Sequence, residues 1–290
     1  MVKFIASDMD GTLLNKEQKV SKENKEAIER AQSEGVEVII ATGRSYQEAR
    51  YALDEAEIEC PVIGVNGAVV YTKEGKVAAS NPINQETAKS VIQYLAEIGI
   101  YFEIYTNDGT YTKNYEKSLG SIVDILLTAN PDLDPVKVAE QARERIAVSN
   151  IKSVESYERL FAIPGLEIYK FLIFSNHYDQ LGQIASFLKE NTSLAVSASA
   201  RENLEVTSQE AQKGVALEKY VQARGGSLSE TMAMGDNFND VSMLERVGRS
   251  VAMGNAPSEI KAICDFVTDT NDENGVAHAI IEALNENSQN

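Results

Sequence analysis

The chain of 290 residues carries 44 acidic and 27 basic side chains, a formal net charge of −17. So acidic a chain does not screen phosphate backbones, which argues against a nucleic-acid binder. A composition of 43% hydrophobic and 24% charged residues excludes a disordered or collagen-like protein and leaves room for one large domain or two of medium size.

The first eighty residues alternate strand and helix signals. Val2 to Ser7 is a short apolar run suited to a buried strand, and Ser21 opens a helix with Ala27, Ile28 and Ala31 on one face and Gly35 as its stop. Val36 to Ala41 is a second buried strand. Ser45 with Glu48 three residues later makes a capping box that starts the next helix. Pro61 to Val65 is a third strand, followed by a hairpin around Lys73-Glu74-Gly75. Near-continuous apolar strands joined by helices predict a doubly wound, Rossmann-like α/β core, a parallel sheet covered on both faces.

The pattern changes near Asn84. A helix containing Val91, Ile92, Leu95 and Ile98 precedes a hairpin, YFEIYT and TYTKNYE, turned at Asn107-Asp108-Gly109. A helix from Asp134-Pro135, the strand IYKFLIF, a helix over 178–190 and the strands SLAVSAS and NLEVTS follow. These predict an α+β module with one open sheet face. After Lys213 the first pattern resumes: TMAMG, SVAMG and CDFVT are strands, separated by helices starting near Asn239 and Pro257, and a last helix runs from about Asn274. The expected organisation is a core of residues 1–83 and 208–290 interrupted by an inserted cap at 84–207.

Cys60 and Cys264 have no metal-ligand spacing and read as buried apolar residues in a reducing compartment. No apolar run reaches the ~20 residues that span a bilayer, and the N-terminus places an acid where a signal peptide needs its apolar stretch. A cytoplasmic protein without membrane or nucleic-acid partners is expected. His177 and His278 sit in helical segments, and no dinucleotide, P-loop or hydrolase-elbow motif occurs. Chemistry must therefore rest mainly on carboxylates, hydroxyls and lysine.

Four constellations offer it. Asp8-Met9-Asp10-Gly11-Thr12 ends the first strand, and two acids at i and i+2 on extended chain project to one side, at the sheet edge where ligands bind. Such a pair suits a nucleophile and a proton donor. The same segment with Glu17 imitates most of a calcium loop, but Ala6 at its first position has no ligand oxygen and lies in a strand. Ala41-Thr42-Gly43-Arg44-Ser45 follows the second strand with a hydroxyl and amides able to hold an anion, although Ser45 also has the plain role of N-cap. Lys213-Gly214 offers a fixed cation; an isolated lysine ahead of a helix is more often solvated surface. Gly235-Asp236-Asn237-Phe238-Asn239-Asp240 ends another strand with several hard oxygen ligands, more than an Asx-rich turn needs.

If all four meet, Asp8, Asp10, Asp236 and Asp240 crowd four negative charges together. Two such charges ~4 Å apart repel by about 4 kcal/mol at an effective dielectric of ~20. Mg²⁺ with Lys213 would offset most of that and admit an anionic substrate.

In this order and at these strand ends, DMDGTLL, ATGRS, Lys213-Gly214 and GDNFND resemble the haloacid dehalogenase superfamily of phosphatases, nearest its Cof-type branch with a large α/β cap. NGAVVY, SVAMGNA and NGVAHAI fit as accessory segments. The resemblance implies that Asp8 attacks phosphorus to give an aspartyl-phosphate, and that Asp10 protonates the leaving alcohol and then activates water. It implies Mg²⁺ held by Asp8, Asp236 and the backbone carbonyl of Asp10, with Thr42, Gly43, Lys213, Asn239 and the N–H of Met9 on the phosphoryl oxygens. Asp240 would support the metal site from behind. The expected function is hydrolysis of small phosphorylated metabolites, foremost sugar phosphates. The alternatives are a phosphorylated flavin-pathway intermediate as substrate, a phosphomutase, or a non-catalytic phosphometabolite sensor.

Overall fold

The structure, a computed structural model, describes residues 1–120, 123, 134–198 and 201–288. The chain divides into two compact units, the first made of Met1–Ser80 with Gln212–Asn290 and the second of Asn81–Ala211.

The first unit is built on β1 (Phe4–Ser7), β2 (Glu37–Ala41), β3 (Val62–Gly64), β4 (Val69–Tyr71) and β5 (Val77–Ser80). Its late strands are Thr231–Gly235, Arg249–Ala252 and Phe266–Val267. In space these eight run Phe266–Val267, Arg249–Ala252, Thr231–Gly235, β1, β2, β3, β4, β5. Pairing is parallel up to β3, and β4 and β5 add an antiparallel edge. The alternation of β1 explains why both faces are covered. Ile5 packs with Ile28 of the helix Lys22–Ser33 and Ile280 of the helix Gly275–Asn287, whereas Phe4 and Ala6 pack with Leu217 and Val221 of the helix Lys213–Ala223. Ile5 is fully buried, worth about 1.5–3 kcal/mol relative to exposure.

Local signals set the helix starts. The Ser21 hydroxyl accepts from the N–H of Asn24 at 3.1 Å, and the Ser45–Glu48 capping box is formed. Asn24 is wholly buried because it joins three segments: its amide donates to the Leu13 carbonyl, and its oxygen accepts from the N–H of Ala277.

The second unit carries β6 (Tyr101–Thr106), β7 (Gly109–Thr112), β8 (Ile151–Ser153), β9 (Ile168–Phe174), β10 (Leu194–Ser197) and β11 (Asn203–Ser208), in the order β10, β11, β9, β6, β7, β8. All its pairs are antiparallel except β7 with β8. Phe102, Ile104, Phe171, Ile173 and Val206 share one core with Val91, Leu95, Ile184 and Leu188 of the helices Gln85–Glu97 and Tyr178–Asn191.

Several expectations need correction. The alternate residues Glu103, Lys170 and Glu205 do not form a solvated face. They are buried, and Lys170 and Glu205 form an ion pair at 3.1 Å that offsets part of the cost of removing them from water. Ile98 stands at the C-cap of its helix, just past Glu97, and is exposed. Cys60 is buried, but Cys264 is only half-buried, and both are free thiols. His177 stands just before its helix rather than within it. Of the run SLAVSAS, the strand ends at Ser197, and residue 199 lies outside the described residues. Among the described residues no helix is long and apolar enough to cross a membrane.

Candidate active site

Sheet register brings the distant motifs to one edge. Ser7 pairs with Met234 on one side and Ile40 on the other, so Asp8, Gly235 and Ala41 stand level beyond it, with Asp236 and Thr42 one residue further. Neighbouring strands lie ~4.8 Å apart. From β1 the chain proceeds to β2 and β3 on one side and later returns on the other. This reversal of strand order creates the crevice at which open α/β sheets take ligands.

Asp8 is 4% exposed, and the ammonium of Lys213 donates to its Oδ1 at 2.6 Å and to Asp240 Oδ1 at 2.7 Å. Lys213 is completely buried, contrary to the ordinary fate of a lysine ahead of a helix. Gly214 makes this possible. A Cβ there would lie 1.8 Å from the Ser242 carbonyl oxygen, so only glycine lets the helix start sit so close, and its N–H donates to Ser242 Oγ at 3.0 Å.

Asp240 is fully engaged by the protein: its other oxygen accepts from the N–H groups of Asp236 and Asn237, each at 3.0 Å. Thr12 donates to Asp236 Oδ1 at 3.0 Å. Gly11, at φ +75°, passes so near that a Cβ would meet Asp236 Oδ2 at 2.4 Å. Asn255 steadies this turn by donating to the Gly11 carbonyl at 2.8 Å.

One carboxylate oxygen from each of Asp8, Asp236 and Asp240 lies within 4.8 Å of the others. Burial pushes the Asp8 carboxyl up to about 7; Lys213 opposes the rise, and Asp240 and Asp10 add to it. Asp236 is raised well above the usual carboxylate range, first by burial and then by Asp8 and Asp240. Burial by itself lowers Lys213, but its two carboxylate partners outweigh that and raise it. Two of these three carboxylates therefore share one ammonium, and Asp236 stands beside them. The oxygens of Asp8 and Asp236 form a hard, anionic donor set that fits a divalent cation.

Asp10 has a different partner. Arg44 Nε donates to Asp10 Oδ2 at 2.8 Å, and Arg44 Nη2 donates to Oδ1 at 2.5 Å. Thr42 is buried, and its hydroxyl oxygen accepts from the N–H of Arg44 at 3.1 Å. Gly43 lies against Asn66, whose Oδ1 accepts from Asn239 Nδ2 at 3.5 Å, while Asn239 Oδ1 is buried without a protein partner. The Met9 side chain is wholly buried in the core, and its carbonyl accepts from the N–H groups of Thr12 and Leu14.

All the singled-out positions thus gather at the carboxyl edge of the first unit's sheet. Sequence reasoning gave no role to three of their neighbours. Arg44 lay unused inside ATGRS, Thr12 inside DMDGTLL, and Asn66, at φ +58°, inside NGAVVY. The signal available for each was a polar residue within five positions of the end of a buried strand.

Comparison with known proteins agrees with this geometry. The profile of a family described as haloacid dehalogenase-like hydrolase matches residues 5–280. Phosphatase YwpJ of Bacillus subtilis (strain 168) is 37% identical over 285 residues, covering 98% of this chain and 100% of the relative. From the same strain, 5-amino-6-(5-phospho-D-ribitylamino)uracil phosphatase YwtE is 38% identical over 284 residues, 98% of each. The solved structure of a haloacid dehalogenase-like hydrolase from B. subtilis superposes with a TM-score of 0.91 at 36% identity, covering 96% of this chain and 99% of that one.

Proposed function

The chain belongs to the haloacid dehalogenase-like hydrolase family and is a phosphatase, and we propose that it is a Mg²⁺-dependent phosphomonoesterase of small phosphorylated metabolites, sugar phosphates foremost. The observation that carries this reading is the meeting of Asp8, Asp236 and Asp240 within 4.8 Å, two of them bonded to the buried ammonium of Lys213.

In this reading a carboxylate oxygen of Asp8 attacks phosphorus, the ester P–O bond breaks, and an aspartyl-phosphate forms. Asp10 gives the departing alcohol its proton and then takes one from the water that releases phosphate. Thr42, Gly43, Asn239 and the N–H of Met9 receive the phosphoryl oxygens together with Lys213. Of the three N–H bonds of Lys213, two are already directed at Asp8 and Asp240. Asp8, Asp236 and the Asp10 carbonyl would hold the Mg²⁺, which when bound reduces repulsion between the anionic nucleophile and the anionic phosphate. Residues of the second unit take the role of a cap that selects the organic half of the substrate. The cytoplasm is the matching location, since phosphorylated metabolites are retained there by their charge.

A second reading of the substrate is a phosphorylated flavin-pathway intermediate, favoured by the name that YwtE carries at 38% identity. The test is phosphate release by the purified protein from an aryl phosphate and from a metabolite panel, with Mg²⁺ and then with EDTA. Metal-dependent turnover lost in Asp8→Asn supports the proposal, and the preferred compound separates its two forms. Binding of phosphorylated compounds without turnover would instead identify a sensor.

A further inference from the structure

Of the four carboxylates Asp8, Asp10, Asp236 and Asp240, Lys213 bonds Asp8 and Asp240, and Asp10 is met by a residue without an assigned role. Arg44 grips both oxygens of Asp10, at 2.8 and 2.5 Å, in a two-point fork.

We propose that Arg44 is a positioning residue that holds the Asp10 carboxyl where the leaving alcohol takes its proton. The inference rests on the phosphatase reading above. Its physical basis is the contrast between the partners. The Asp10 side chain is 38% exposed, whereas that of Arg44 is 6% exposed and held within the protein. Its N–H donates to Thr42 Oγ1 at 3.1 Å and its carbonyl accepts from the N–H of Val65 at 2.9 Å. Nη2 also donates to Gln18 Oε1 at 2.5 Å. A planar guanidinium bonded through both Nε and Nη2 fixes the tilt of a carboxylate as well as its distance; an ammonium fixes distance alone. Thr42, meanwhile, ties the arginine backbone to the residue assigned to the phosphoryl group, so acid and phosphate are placed by one short segment.

The proton and electron accounting is unchanged by this role. The Asp8–phosphorus bond forms, and the ester P–O bond breaks with its electron pair on the alcohol oxygen. That oxygen takes the proton of the Asp10 carboxyl. Arg44 exchanges nothing and acts through Asp10.

Leaving groups separate positioning from a merely structural ion pair. A nitrophenolate departs without a proton; a sugar alkoxide does not. Arg44→Met is expected to lower the single-turnover rate of alcohol release from a hexose phosphate by ~10²-fold and the burst rate of nitrophenolate release from para-nitrophenyl phosphate by less than about tenfold, with Arg44→Lys between it and wild type; the hydrolysis that follows needs Asp10 as base for either substrate and slows alike. In an Asp10→Asn background the same change adds no further loss, and guanidinium ion restores hexose phosphate turnover to Arg44→Ala. Equal losses in the first step on both substrates, or losses that multiply with Asp10→Asn, overturn the proposal, and thermal melts show which variants are folded. A wild-type protein inactive on both esters defeats the phosphatase reading itself, whereas an active wild type whose Arg44 variants show no leaving-group dependence defeats only this inference.

Discussion

The Lys213 ammonium stands 2.6 Å from Asp8 Oδ1 across 205 residues of sequence, and neither group is solvated. Because the same nitrogen reaches Asp240 at 2.7 Å, one cation restrains two buried acids. Removing one member of a buried pair typically costs about 3–5 kcal/mol, since the remaining charge keeps its desolvation penalty. Lys213→Met is therefore expected to lower stability by that order in metal-free protein, measured by urea denaturation. A change below about 1 kcal/mol would show that the pair is not the restraint described.

The proton on Asp8 gives a second prediction. Its carboxyl titrates at about 7 in the folded chain against 3.8 ordinarily, so between those values the native state holds a proton that the unfolded state has released. Stability from this group is present at low pH and is lost as pH rises toward 7. The rise of Asp236 has the same sign. Divalent metal binds the ionised carboxylates, so the Tm gain from Mg²⁺ over EDTA should be larger at about pH 8 than at about pH 5. Equal gains at both would put the metal elsewhere.

Gly11 supplies a steric test. At φ +75°, with Asp236 Oδ2 only 2.4 Å from where a Cβ would sit, alanine must both strain the turn and displace the carboxylate. Gly11→Ala should cost about 1–3 kcal/mol and weaken Mg²⁺ binding by calorimetry, while Gly225→Ala, also at positive φ but with open space, costs stability alone. Unchanged metal affinity in Gly11→Ala would mean that Asp236 does not hold the ion.

Asp10 offers a kinetic test independent of its partner. Asp10→Asn retains shape and removes the exchangeable proton, and turnover of alkyl phosphates should drop by at least ~10²-fold. Stopped-flow with the aryl ester should show a retained burst of phenolate, because the first step then needs no acid while the second still needs a base. Unimpaired turnover would count against the proton role.

What the sequence by itself determined is local. Apolar runs located the central strands, Ser21 and the Ser45–Glu48 pair located helix starts, and the motifs fell just after strands, because periodicity and capping act over a few residues. Tertiary structure decided which strand lies beside which. Asp236 is next to Asp8 only because Thr231–Gly235 pairs with β1, a choice made by long-range sheet registry that no local pattern encodes. It decided as well that Lys213 is sealed from water, that Arg44 turns its fork on Asp10 across 34 residues, and that Glu103, Lys170 and Glu205 are buried where alternation predicted a wet face. A polar side chain has the same appearance in sequence whether water or another charge satisfies it, and only packing distinguishes the two.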